Sequence, residues 1–366
     1  VEIMAKLTRR TLIKAGAIAT VGAPYILGSS RSYAAGEVNL LTYNKHFPPQ
    51  FIEQFQKDTG IRVNVRITDE QDKVFNLFSV ERPNFSNDIV VAAGTRLVQF
   101  SSNQFIEPID VSRLSGWKNL SPTFSDSKLL KIGGQTWGVP TLVLGQILAA
   151  NPNYVPDTDT WQTLFDRKYT KRIVWKVADA LQTAVRLQGK SADLIEFIND
   201  EAGAQAVMNK ARDFLIEHKP YVLKFYEADA EVQQVMVNED AYVANMTSGP
   251  AARLMMGGYP IKMFLPKEGS SFSVYSATIA KNAKNRDNAY KFLDAFLNNP
   301  AIGGFIAKDA GFISTFKDAG KDLSPVERAA VTVDESMTDR IKWSDPSNQE
   351  MVSRLYAKAT SEVNAA

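Results

Sequence analysis

Short apolar runs alternate with amphipathic stretches from Val38 onward. This pattern predicts an α/β protein with a largely parallel sheet. Val38 to Tyr43 reads as a strand. Pro49 to Thr59 reads as a helix, with proline in its first turn and Gly60 just past its end. Ile61 to Ile67 is the next strand, followed by a helix through Lys73 to Val80, a buried strand over Asp88 to Ala92 and a short helix over Thr95 to Ser101. A second series starts after Leu148. It places helices at 160–165, 179–187, 202–217 and 250–256, strands at 172–175, 241–245 and 273–280, and closing helices at 288–297 and 351–363.

The first 34 residues break this pattern. Leu7-Thr8-Arg9-Arg10-Thr11-Leu12-Ile13-Lys14 precedes an apolar stretch from Ala15 to Leu27, and Gly-Ser-Ser-Arg-Ser-Tyr-Ala follows. A basic start, a short apolar core and a small-residue cleavage point are the parts of a signal peptide. The Arg9-Arg10 pair resembles the bacterial twin-arginine export signal. Cleavage is expected after Ala34. Thirteen apolar residues span only about 20 Å as a helix against ~30 Å of hydrocarbon, so a membrane anchor is the poorer reading. No later segment is apolar for long enough to span, which predicts a soluble, periplasmic mature chain.

Composition narrows the function. The 366 residues are 45% hydrophobic and 22% charged, a globular balance with room for about two domains. The net charge is +2, but without the first 34 residues 37 basic residues face 39 acidic ones. A nearly neutral protein has no global field for nucleic acid. Cysteine is absent, which excludes disulfides, thiolate metal sites and cysteine nucleophiles.

Several separated motifs then occur in order: Tyr43-Asn44, Pro48-Pro49, Ile52-Glu53-Gln54-Phe55, Thr59-Gly60-Ile61, Asp88-Ile89-Val90-Val91, Trp137-Gly138-Val139-Pro140, Thr160-Trp161 with Leu164-Phe165, Leu265-Pro266-Lys267-Glu268-Gly269, Asn282 to Asn285, and Gly311-Phe312. Together they resemble the extracellular solute-binding proteins of the spermidine and putrescine importer type, from Val38 to about Phe316. The resemblance implies a two-lobe Venus-flytrap fold, type II, with crossover hinge strands near Gly145 to Leu148 and Gly269 to Val274. Lobe 1 is expected over 35–145 plus 275–315, and lobe 2 over 146–270 plus 316–366. It also implies a protein without cofactor that holds a small molecule between the lobes and delivers it to ABC permease subunits; a monomer is expected, since lobe closure needs no partner.

The expected ligand-binding positions are Asn44, Lys45, His46, Thr95, Arg96, Lys176, Asp179, Met246, Ser273, Tyr275 and Phe312. Polyamine-binding relatives use aromatic walls and carboxylates there, through cation-π attraction and ion pairing. Here Lys45, Arg96 and Lys176 stand at such positions, and of two second-lobe carboxylates only Asp179 remains. This predicts an anionic or zwitterionic solute ahead of a polyamine. Ferric iron is a poorer alternative, since Tyr43, Tyr226, Tyr242 and Tyr275 are scattered and His46 is the only histidine near the cleft. His218, at a helix end, is expected at the surface or as a cap. A hydrolase finds no support in a Gly-x-Ser-x-Gly elbow or a His-Glu-x-x-His pair, and Gly189-Lys190-Ser191 lacks the glycine a phosphate loop needs.

Overall fold

The computed structural model describes residues 35–68, 71–82, 84–331, 339–343 and 345–366. Helices of at least six residues are labelled. The order opens with β1 (Glu37–Tyr43), α1 (Pro49–Thr59), β2 (Arg62–Thr68), α2 (Gln71–Glu81), β3 (Ile89–Ala93) and α3 (Leu97–Ser102). After β4 (Ile106–Glu107) and the hairpin of β5 (Lys131–Ile132) and β6 (Gln135–Thr136) comes the twelve-residue β7 (Val139–Ala150). The second series holds β8 (Ile173–Trp175), α4 (Val177–Leu187), α5 (Glu201–His218), β9 (Val222–Phe225), α6 (Asp229–Val237), β10 (Val243–Thr247), α7 (Ser248–Met256) and β11 (Lys262–Phe264). The long β12 (Ser270–Ala280) returns, followed by α8 (Arg286–Asn298), β13 (Ile313–Ser314), α9 (Pro325–Val331), β14 (Ile341–Trp343) and α10 (Gln349–Ala365).

The sheet order β2-β1-β3-β12-β7-β10-β8-β9 is mixed, a correction to the largely parallel sheet expected. Parallel sets β2-β1-β3 and β10-β8-β9 lie at the two ends, and the antiparallel pair β12 and β7 joins them. Strand β7 pairs with β12 through Gly145 and with β10 from Gln146 onward. The bare Cα of Gly145 makes this change of partner possible, because a Cβ there would stand 2.2 Å from the Phe272 ring.

Local chemistry sets the elements. Helix α1 starts on Pro49 and stops at Gly60, whose φ of 68° lets its N–H reach the Gln56 carbonyl at 3.0 Å. The buried side of α1 (Phe51, Ile52, Phe55) meets Phe292 and Phe296 of α8, with ring centroids 5.2 to 5.8 Å apart. Helices α4, α5 and α10 share a second core around Trp161 and Trp175. His218 is buried there, correcting the surface alternative. Its Nδ1 lies 2.8 Å from the Phe214 carbonyl at the end of α5, so the cap alternative stands.

Two motifs far apart in sequence meet at one carboxylate. Glu268, in the turn before β12, accepts from the Thr160 hydroxyl and from the Trp161 N–H at 3.0 Å, while Trp161 Nε1 donates to the Gly269 carbonyl at 2.9 Å. Glu268→Ala removes both acceptors and is expected to cost about 2–3 kcal/mol in urea unfolding. A loss below ~0.5 kcal/mol would show that the contact contributes nothing.

Candidate functional site

Chain direction brings the site residues to one edge. Strands β8, β9 and β10 end side by side, and each leads into a helix that starts near the strand ends: α4 after Lys176, α6 after Ala228, and α7 after Thr247. From the other half of the sheet, β1 ends at Tyr43 and β3 at Ala93, and β12 lays Tyr275 beside Ala93.

An aromatic group forms at the β1 and β12 side. The His46 ring lies 5.5 Å from the rings of Tyr43 and Tyr275 and 6.4 Å from Phe312, and Tyr43 meets Tyr275 edge-on at 5.7 Å. Burial lowers the His46 pKa to about 3, with the Asn44 backbone offsetting a little of the shift. The imidazole is therefore neutral, and neither nitrogen has an aligned hydrogen-bond partner. Burial also raises the Tyr275 pKa to about 12. Gln71 and Arg96 oppose that rise, whereas Asp229 and Asp179 add to it. The charges of both sheet halves thus act on one phenol.

Two carboxylates, Asp179 and Asp229, act on this group from the other half of the sheet. Burial raises the Asp179 pKa to about 6; Lys176 opposes the shift, and Asp229 and Glu227 reinforce it. The Asp229 carboxylate accepts from the Thr247 hydroxyl at 3.4 Å. Gln146 donates from Nε2 to the Asp179 carbonyl at 2.7 Å, which leaves its Oε1 buried without a partner. Ser273 Oγ and Gln71 Nε2 are likewise buried without an aligned partner. Unsatisfied polar atoms of this kind are costly and mark a place built for further hydrogen bonds. Among the described residues, no three histidine or acidic side chains are placed to share a metal ion.

The expected positions separate into groups. His46, Asp179, Ser273 and Tyr275 come together, with Lys176 at the edge, where its backbone N–H donates to Asn245 Oδ1 at 2.9 Å. Phe312 is mostly buried against the backbone of Gly249 and closes the aromatic group from below. Lys45 departs from expectation. It is exposed, holds a φ of 63°, and reaches the Asp309 carbonyl at 3.4 Å, outside the carboxylate group. Burial and nearby Arg253 lower its pKa, and Asp309 opposes them. Asn44 is exposed beside it. Met246 is another correction, since it is fully buried in the core with Ile147 and Phe272. Arg96 lies near Tyr275 and donates to Gln99 at 3.1 Å, while Thr95 lines a separate chamber with Arg186. Arg9, Arg10 and the cleavage point after Ala34 lie outside the described residues.

Sequence reasoning missed Gln71, Gln146, Arg186, Glu227, Asp229 and Arg253. Asp229 starts a helix that the hydrophobic pattern did not reveal. A Tyr-Glu-x-Asp run after an apolar strand was the available signal.

Residues 50–332 match the family described as bacterial extracellular solute-binding protein. The spermidine/putrescine-binding periplasmic proteins of Salmonella typhimurium and Escherichia coli K12 are each 26% identical over 322 residues, which is 86% of this chain and 86% of theirs. The spermidine/putrescine ABC transporter substrate-binding protein PotD of Streptococcus pneumoniae superposes with a TM-score of 0.73 at 17% identity, covering 90% of this chain and 99% of that one. Its fold is the two-lobe periplasmic binding protein fold, with β7 and β12 as the long shared strands. With the family match covering most of its length, the chain belongs to the bacterial extracellular solute-binding proteins.

Proposed function

We propose that this chain is the substrate-binding component of an ABC importer, and that it captures between its lobes a small solute carrying both a protonated amine and an acidic group. The observation that carries this reading is the pair Asp179 and Asp229, with Glu227 acting on Asp179, opposite Tyr275 and the rings of Tyr43 and His46 that pack on it. Carboxylates pair with an ammonium and ring faces attract it, so the amine end sits there. The polyamine names of the relatives support an amine. A purely anionic solute is now disfavoured, because Lys45 does not join the group. Arg96 and Lys176 at its edge favour a zwitterion over a diamine.

In this reading residues 35–145 with 275–315 form one lobe and 146–270 with 316–366 the other. The change of partner along β7 at Gly145 and the packing of α10 on α4 and α5 support that division. The first 34 residues direct export to the periplasm through the twin-arginine route, and the mature protein works there as a monomer. Lobe closure then presents the loaded receptor to permease subunits. The chain is not an enzyme and returns its solute unchanged.

Native mass spectrometry of protein purified without denaturation tests the identity directly. The co-purified solute should contain an amine and an acidic group and be recovered chemically intact. A solute without any amine would contradict the reading. Affinity for the amine should also fall as pH drops through about 6, because Asp179 must lose its proton to pair with an ammonium. His46 adds nothing to this dependence, being neutral well above pH 3. Calorimetry across that window checks it, and an affinity that rises on acidification would sink the assignment of Asp179.

A further inference from the structure

One helix carries an acid and a buried arginine on the same face. Asp179, Gln182 and Arg186 follow one another at i, i+3 and i+7 along α4, with the first and last about 10 Å apart along the axis. Arg186 is 6% exposed and forms no ion pair among the described residues. Its Nη2 donates to Ser271 Oγ at 2.7 Å, Ser271 donates onward to Gln182 Oε1 at 3.1 Å, and its Nε is buried without a partner. Burial lowers its pKa, and Tyr356 and Asp193 oppose that shift.

Arg186 lines a chamber of about 240 Å³ between Thr95 of the first lobe, Ser271 of β12, and Gln349 and Tyr356 of α10. Asp193 is the one acid in that lining. Its Oδ1 accepts from the Ile195 N–H at 3.3 Å and its Oδ2 from the Asp345 N–H at 2.8 Å, so its oxygens are already engaged. The Tyr356 hydroxyl donates to the Ala192 carbonyl at 2.9 Å. A buried guanidinium with an unpartnered Nε–H, whose nearest acid is held by backbone donors instead of pairing with it directly, is costly unless a further acceptor completes it. A carboxylate, with two acceptor oxygens, matches the guanidinium fork.

We propose that the chamber at Arg186 is an anion subsite that receives a carboxylate or similar small acidic group, with Ser271 and Gln182 holding the guanidinium in place. Resting on the reading of an amine at Asp179, the chamber takes the acidic end of the same solute, and α4 acts as the ruler between the two ends. Arg96, which donates to Gln99, does not line this chamber.

The test compares three five-carbon probes by calorimetry: 5-aminopentanoate, 1,5-diaminopentane and glutarate. They are titrated into the full chain, into R186Q, and into S271A, which spares the buried charge. R186Q should weaken 5-aminopentanoate by about ten- to hundredfold and leave 1,5-diaminopentane within about twofold. R186K, which keeps the charge but loses the fork, should recover part of the loss, and S271A should show a smaller loss of the same selectivity. Equal weakening of both amine probes in R186Q and S271A, or no change in either variant, overturns the subsite. Glutarate bound by the full chain and lost in R186Q, with both amine probes ignored, would support the subsite and overturn the amine reading.

Discussion

Asp179→Asn is expected to reduce capture of an amine-bearing solute by at least about a hundredfold at neutral pH, while making the unliganded protein more stable. Both effects come from one cause. Burial, Asp229 and Glu227 raise this carboxyl to about 6, against an ordinary value of 3.8. Between those values the folded state holds a proton that the unfolded state has released, so stability falls as pH rises through the window and the full penalty is present above about pH 7. The penalty is on the order of 2–3 kcal/mol. Asparagine carries no charge and escapes it. Urea unfolding of both proteins should give curves that nearly coincide at about pH 4, separate toward pH 7 and stay parallel above it. A separation that does not depend on pH would remove the electrostatic account of the site.

Asp88→Asn is expected to produce a large loss of stability, about 3 kcal/mol or more. Asp88 is 1% exposed at the start of β3. Its Oδ2 accepts from Asn39 N–H at 2.8 Å, Asn39 Nδ2 at 3.1 Å and Asn285 Nδ2 at 3.0 Å, and its Oδ1 accepts from Asn285 N–H at 2.9 Å. One carboxylate thus joins β1, β3 and the turn entering α8. An asparagine turns an NH₂ toward donors and strands at least one of them in the interior. Arg113→Ala serves as the contrast. Its pair with Asp287 lies at the surface, and the substitution should cost under about 1 kcal/mol. If Asp88→Asn costs no more than that control, the carboxylate is not the joint described.

Much of the fold was legible where local chemistry decides it. The proline and glycine around α1 set its ends, and Asp88 marked the start of β3 correctly as a buried strand. Strand β7 was not legible as one element, because its nearly continuous burial contains Pro140 and Gly145 and carries no alternation. Its role depends on two different neighbours, which no local pattern encodes. Helix α6 was missed because its buried residues, Val232 and Met236, are only two.

The candidate site was legible in part for a related reason. Residue type singled out Asp179, Tyr275 and His46, which the fold places in one region. It could not give orientation. Lys45 counted as a cleft cation until the left-handed turn after β1 carried it to the Asp309 carbonyl. Glu227 and Asp229 belong to the end of β9 and the start of α6, and with those elements unrecognised their charges were left out of the balance. Arg186 read as one more charge in an amphipathic helix, although its burial and its unpartnered Nε set it apart.

The central claim is that an amine is held at the carboxylate and aromatic group between the lobes. Calorimetric titration of the full chain with 5-aminopentanoate and glutarate, each at about pH 8 and pH 5, tests it most directly. The account predicts binding of the amino acid that weakens on acidification, and none of the diacid. Tight binding of glutarate with no response to 5-aminopentanoate would contradict it.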